Sequence, residues 1–150
     1  MSRTLRVALV GALALCVPAA PAADAGTTPP LERSLVGTWR LSSFNLVDPT
    51  GAVVGRPYGS KPVGKLTYTP DRHVWVVVAR RGATKEGDNA LWYTGTFTVA
   101  GSTVTHRVEA SSMPAAEGTD QVRRAQLAGS RLTLSAGTNP KLVLVWKRAR

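Results

Sequence analysis

The sequence predicts an all-β domain, an eight-stranded antiparallel up-and-down β-barrel. Three observations lead there. Turn signals punctuate the chain at short, regular spacing. The runs between them are rich in Val, Thr, Leu, Trp and Tyr, residues that suit a pleated, half-buried surface. Apolar positions in those runs alternate with period two, and no stretch of about ten residues sustains a helical period. The 150 residues suffice for one domain and are too few for two ordinary ones. A composition of 43% hydrophobic and 19% charged residues argues against disorder.

The chain opens with a segment that reads as targeting, not fold. Arg3 and Arg6 form a positive start, and Val7 to Val17 is an apolar run ended by Pro18. Ala20-Pro21-Ala22 and Ala23-Asp24-Ala25 both offer small-residue cleavage sites. This is the layout of a secretory signal peptide over residues 1–22, with the cut between 22 and 25. The run is shorter than the roughly 20 residues a membrane anchor needs, so the mature protein is expected to have no transmembrane segment. The expected location is therefore periplasmic or secreted. Lipidation at Cys16 is the weaker alternative, because Leu15 fills a place where Gly or Ala is wanted. Cys16 is the single cysteine, so no internal disulfide can form. Residues 23–30 (ADAGTTPP) read as a flexible tether, and the barrel domain is placed over 31–150.

Within that domain a short helical turn is expected around Leu31 to Val36. Eight strands follow, at about 37–47, 64–69, 73–79, 92–99, 102–111, 119–128, 131–136 and 141–148. Tyr93, Gly95, Phe97 and Val99 share one face of the fourth, and Val104, His106, Val108 and Ala110 one face of the fifth. Leu132 and Leu134 share a face of the seventh, and Leu142, Leu144 and Trp146 a face of the eighth. The third strand, Val74 to Val78, is apolar on both faces and is expected to be covered on both. Short links make neighbours antiparallel, and closing the sheet removes two exposed edges. A two-sheet sandwich is the alternative. A closed sheet of eight strands can hold one small ligand.

Charge narrows the partners. Without Arg3 and Arg6 the chain has 17 basic residues against 9 acidic ones, a net charge near +8. That balance favours anionic partners, or is no more than a solvated basic surface. The basic residues fall in pairs on different segments (Arg80-Arg81, Arg123-Arg124, Lys147-Arg148), with no basic run interleaved with aromatics. Nucleic acid is therefore not expected as a partner.

Four blocks resemble a known family. They are Gly37-Thr38-Trp39-Arg40-Leu41, the stretch Gly64-Lys65-Leu66-Thr67-Tyr68-Thr69-Pro70-Asp71, Val104-Thr105-His106-Arg107-Val108-Glu109, and Gln121 to Arg124 with Arg131 to Leu134. Ending in Trp146-Lys147-Arg148, they look like the bacterial and fungal lipocalin-like domain family over Leu35 to Arg148. The resemblance implies a lipocalin-type barrel without a common activity. It also implies that Trp39 closes one end of the barrel beneath a cation of the last strand, Arg148 or Lys147. One departure is Arg72, where relatives often carry Gly after the Pro-Asp turn.

Two interior polar residues carry the functional expectation. His106 should point inward, able to hydrogen-bond a ligand or serve as a base, or else be a satisfied core histidine. One of Arg123 and Arg124 must point inward; Arg123, which shares a face with Ala125 and Leu127, is the candidate, and the choice between the two stays open. Its partner would be a ligand anion, or Glu109, Glu117 or Asp120. Tyr68, Trp75, Tyr93 and Phe97 are the expected wall. Enzyme and metal templates fail. His73 and His106 are the only histidines, in no zinc spacing, and there is no nucleophile elbow or phosphate loop. Glu86 and Asp88 read as solvated loop charge. No cofactor is expected. The leading reading is a monomeric exported barrel binding a small hydrophobic or aromatic molecule, with an anionic end near His106 and Arg123. The alternatives are a barrel-type cyclase or isomerase using His106 and Tyr93, and an interaction or inhibitor module acting through the basic outer face.

Overall fold

Nine strands order as the alternation predicts, with one short addition. The computed structural model describes residues 30–82 and 90–150. The leader, Cys16, nearly all of the tether, and Glu86 and Asp88 lie outside the described residues. Helix α1 (Pro30–Leu35) precedes β1 (Gly37–Val47), β2 (Val53–Gly55), β3 (Val63–Tyr68), β4 (His73–Ala79), β5 (Leu91–Ala100), β6 (Thr103–Ser111), β7 (Asp120–Ala128), β8 (Arg131–Ala136) and β9 (Lys141–Arg148). β1 pairs with β3 through residues 37–40 and with β9 along most of its length, which closes an eight-stranded antiparallel barrel. β2 is the added strand. It hooks onto the end of β1 and stands outside the closed sheet. Three residues in a Gly- and Pro-rich segment give no readable alternation. Among the described residues no helix is long and apolar enough to cross a membrane.

Period two fixes what is inside. Val74, Val76 and Val78 of β4 are buried, and so are Leu132 and Leu134 of β8 and Leu144 and Trp146 of β9. The expectation that β4 is covered on both faces is wrong. Trp75 is 50% and Val77 40% exposed on the outer face, because the valines already fill the inner one. Trp75 is therefore not an interior wall residue. It stands outward between Thr67 of β3 and Thr94 of β5.

A bulge corrects a second expectation. Thr94 pairs with Ala110 and Gly95 with Val108, so Glu109 is an extra residue on β6. The alternation slips there, and Ser111 is buried in place of Ala110. The bulge brings β6 so close to β5 that a Cβ on Gly95 would lie 1.9 Å from the Arg107 carbonyl oxygen. Only glycine fits that contact.

One end of the barrel is shut by groups from both termini of the domain. Trp39 is wholly buried, and its indole N–H donates to the Leu35 carbonyl at 2.9 Å. The Arg148 guanidinium lies 4.2 Å over the Trp39 ring. It also donates to the carbonyls of Val36 and Ser34, just beyond and within the last turn of α1. At the β3–β4 turn Arg72 takes the left-handed conformation, φ 66°, that glycine would adopt there. The departure at this position leaves the turn intact and adds a contact, since Arg72 Nε donates to buried Glu32 of α1 at 2.7 Å.

Gly95→Ala is expected to destabilise the domain by about 2–3 kcal/mol, because backbone cannot move aside as a flexible side chain can. Chemical denaturation with an unchanged m-value checks this. A loss below about 0.5 kcal/mol would mean that the bulge relaxes freely.

Candidate functional site

Three aromatic or basic side chains converge inside the barrel from β3, β5 and β6. Each sits at an inward position, so the alternation that builds the core also aims them together. His106 is 1% exposed. The Tyr68 hydroxyl lies 2.8 Å from its Nε2 and the Tyr93 hydroxyl 2.7 Å from its Nδ1. Phe97, also fully buried, packs edge-on against Tyr68 at 4.6 Å between centroids and props it from below.

Burial settles the charge states. It depresses the His106 imidazole to about 3, and the Arg123 charge pushes in the same direction. It raises Tyr93 to about 12 and Tyr68 well above the ordinary phenol range. At neutral pH all three groups are uncharged. A neutral imidazole has one donor and one acceptor nitrogen. Among the described residues each phenol finds only this imidazole, so one donates to it while the other accepts from it and keeps a proton over. Tyr93 is the phenol that lines the cavity.

The cavity holds about 40 Å³ of water-accessible space within about 380 Å³ of atom-free volume that reaches open solvent. By the rule of roughly 10–15 Å³ per water, it takes about three waters. Leu66, Val76, Leu134 and Leu144 make it apolar, and its polar lining comes from Tyr93, His106, Arg123 and Trp146. Arg123 points in and Arg124 points out. The Arg123 guanidinium donates to Gln121 Oε1 at 3.1 Å and to the Val122 carbonyl at 3.0 Å, both neutral. Gln121 is itself held by Thr119 at 3.1 Å. The acids weighed as partners are engaged elsewhere or face outward. Glu117 accepts from the Ser111 amide, Asp120 pairs with Arg107, and Glu109 is exposed on the outer face. Among the described residues no carboxylate reaches Arg123.

Of the expected site residues, the structure gathers Tyr93, His106 and Arg123 on the cavity. Tyr68 and Phe97 lie behind it, and Trp75 is outside. The sequence marks Trp146 only as an apolar strand position. Its ring is 1% exposed, and its Nε1–H is buried with no hydrogen-bond partner. An indole facing a cavity instead of a carbonyl leaves no signal in the sequence. Among the described residues no three His, Cys, Asp or Glu side chains gather as for a metal.

The depressed imidazole sets a pH dependence. An unfolded histidine titrates near 6.5 and His106 in the barrel near 3. Between those values the unfolded chain binds a proton that the folded one does not, so stability falls as pH is lowered through that window. The expected loss is roughly 1 kcal/mol per pH unit below about 6.5, and level stability just above it. Denaturation midpoints from pH 7 to 4 measure it against His106→Gln, whose slope should be shallower. Equal slopes would remove His106 as the cause.

No curated protein matches the chain. Among solved structures, it is similar to a lipocalin-like protein from Bacteroides uniformis at 11% identity, over 77% of this chain and 98% of that one, with a TM-score of 0.49. The profile described as lipocalin-like domain matches residues 36–92 and 80–149, a span that holds every strand of the barrel. The chain belongs to the lipocalin-like domain family.

Proposed function

We propose that this protein is exported and binds, inside its barrel, a small hydrophobic or aromatic molecule with an anionic end. One observation carries the reading: the polar lining of the cavity offers hydrogen-bond donors and lacks a free acceptor. The Trp146 N–H is orphaned, the Arg123 charge has only neutral partners among the described residues, and with the imidazole hydrogen on Nδ1 the Tyr93 hydroxyl adds a spare proton. A buried donor without a partner costs on the order of 1–3 kcal/mol, and a partly buried charge adds to that. A carboxylate or phenolate relieves these costs at once. An amine, which arrives with donors, relieves none.

Size limits the ligand further. The cavity is well below the roughly 150 Å³ that takes up benzene in an engineered core. A long acyl chain has no room. A single ring or short chain fits, with its acid inside and its remainder in the opening to solvent. The cyclase or isomerase reading is weaker, since neither the His106 imidazole nor the Tyr93 phenol titrates near neutrality. Export rests on the leader over 1–22 and is tested by finding the mature N-terminus near Ala23 outside the cytoplasm.

Arg123→Met separates a ligand anchor from a structural ion pair. For an anchor, the melting temperature of the ligand-free variant should hold or rise, because the desolvation cost is gone. Binding of small aromatic carboxylates, followed by displacement of a fluorescent anionic probe, should weaken by about 1.5–3 kcal/mol. Binding of the matching neutral alcohols should barely change. A fall of several degrees in the melting temperature without ligand would sink the anchor.

A further inference from the structure

The outer face carries a feature that no stretch of sequence displays. Cross-strand pairing sets Arg131 of β8 opposite Lys147 of β9, Lys147 opposite Arg40 of β1, and Arg40 opposite Lys65 of β3. Four cations thus stand single file across four neighbouring strands, and all four side chains are exposed. The row runs on through Val77 of β4 to Trp92 of β5, both solvent-facing. Beside it a second row places Thr38, Thr67, Trp75 and Thr94 in register. Lys65, Thr67, Trp75, Val77, Trp92 and Thr94 frame an open groove at the aromatic end.

Like charges directly opposite one another destabilise a sheet. Here three such pairs occur in succession. Nothing on the surrounding strands offsets them, since β1, β3, β4, β5, β8 and β9 contain no Asp or Glu. Among the described residues no carboxylate bridges to any of the four. An acid in the row would be simple to place and would stabilise the barrel. A row kept wholly cationic, ending on two half-exposed tryptophans, has the chemistry of a binding track for a chain of negative charges.

Curvature selects the kind of chain. At about 4.8 Å per strand the four cations span about 14 Å. In a closed sheet of eight strands each step also turns about 45°, so the row bends through about 135°. A flat membrane touches only two or three neighbouring strands of such a surface. A flexible single chain follows the bend. Threonine hydroxyls beside the cations, and tryptophan faces at the end, suit sugar rings bearing acid groups. The leader argues for a polymer met outside the cytoplasm. We infer that the row Arg131, Lys147, Arg40 and Lys65, with Trp92 and Trp75 at its end, binds a linear acidic polysaccharide. This site is separate from the barrel interior and does not depend on the ligand there.

The test is calorimetric titration of the mature chain with polygalacturonate, oligo-dT and phosphatidylglycerol vesicles at several salt concentrations. Polygalacturonate is expected to bind most tightly, with affinity falling steeply with salt. The double substitution Arg40→Glu with Lys65→Glu should weaken it by about tenfold or more and lower the slope of log affinity against log salt by about two. Arg124→Glu with Lys141→Glu, an equal charge change away from the row, should have little effect. Trp92→Ala should weaken binding several-fold and leave the salt slope unchanged. Melting temperatures confirm folding, and the row variant should melt no lower than the wild type, since the 40–65 pair stays like-charged while the contact of residue 40 with Lys147 turns from repulsion to attraction. Equal losses in the two double variants would reduce the effect to net charge and overturn the inference. Tighter binding of oligo-dT or of the vesicles would overturn it too.

Discussion

Pairing of the first strand with the last makes the molecule a barrel, and that pairing is secured at one end by Trp39 and Arg148. The two stand opposite each other in the β1–β9 register. Arg148 covers the indole with its charged plane and ties down α1 through the Ser34 and Val36 carbonyls. One side chain from the last strand thereby joins the closing seam, the end plug and the lead-in helix. α1 presents a carbonyl to Trp39, Leu35 to the core, and Glu32 to Arg72. Everything inside follows from closure, because a sheet with open edges would leave His106 in water, without the burial that depresses its imidazole.

Inside, a division of labour separates satisfied polar groups from unsatisfied ones. Tyr68, His106 and Tyr93 use one another, and a neutral imidazole between two phenols leaves one proton over. On Tyr93 that proton would face the cavity with the Trp146 N–H and the Arg123 guanidinium. A core selected for stability alone would replace these donors with apolar groups at little cost, since buried polar networks seldom outperform well-packed hydrocarbon. Gln121 and Thr119 act on the same problem from the opposite direction. They fix the direction of Arg123 with neutral oxygens and leave its charge uncancelled. A carboxylate in place of Gln121 would hold the guanidinium more firmly and cancel its charge.

What was legible in the sequence is what depends on alternation within one strand. The eight barrel strands and the inward aim of His106 and Tyr93 follow from period two. For Arg123 and Arg124 alternation says only that one of them points inward, with Ala125 and Leu127 on the Arg123 face. Trp75 misled because β4 is apolar on both faces, so alternation carries no label and only the neighbours decide. Ser111 was missed because a bulge inserts one residue, and nothing local to Glu109 announces it. β2 is too short to alternate. The orphaned N–H of Trp146 depends on what stands across the barrel, and pattern within a strand cannot report that.

The basic row was illegible for a related reason. Its members come from residues 40, 65, 131 and 147, and they become neighbours only through register. Read along the chain, the cations look like scattered pairs. Read across the strands, they form a line. Alternation also ties the outer row to the interior without mixing them. Arg40 follows Trp39, Lys65 precedes Leu66, Trp92 precedes Tyr93, and Lys147 follows Trp146, so each outward residue shares a peptide bond with an inward one. The two surfaces are thus a few ångströms apart yet face opposite ways. Side chains on one face can change without touching those on the other, because a strand directs alternate residues to opposite sides. A change of register could not be so confined, since a slip of one residue would send the cations inward and the core outward. The same pairings that align the cations therefore also aim the cavity lining inward, and a slip of register would undo both.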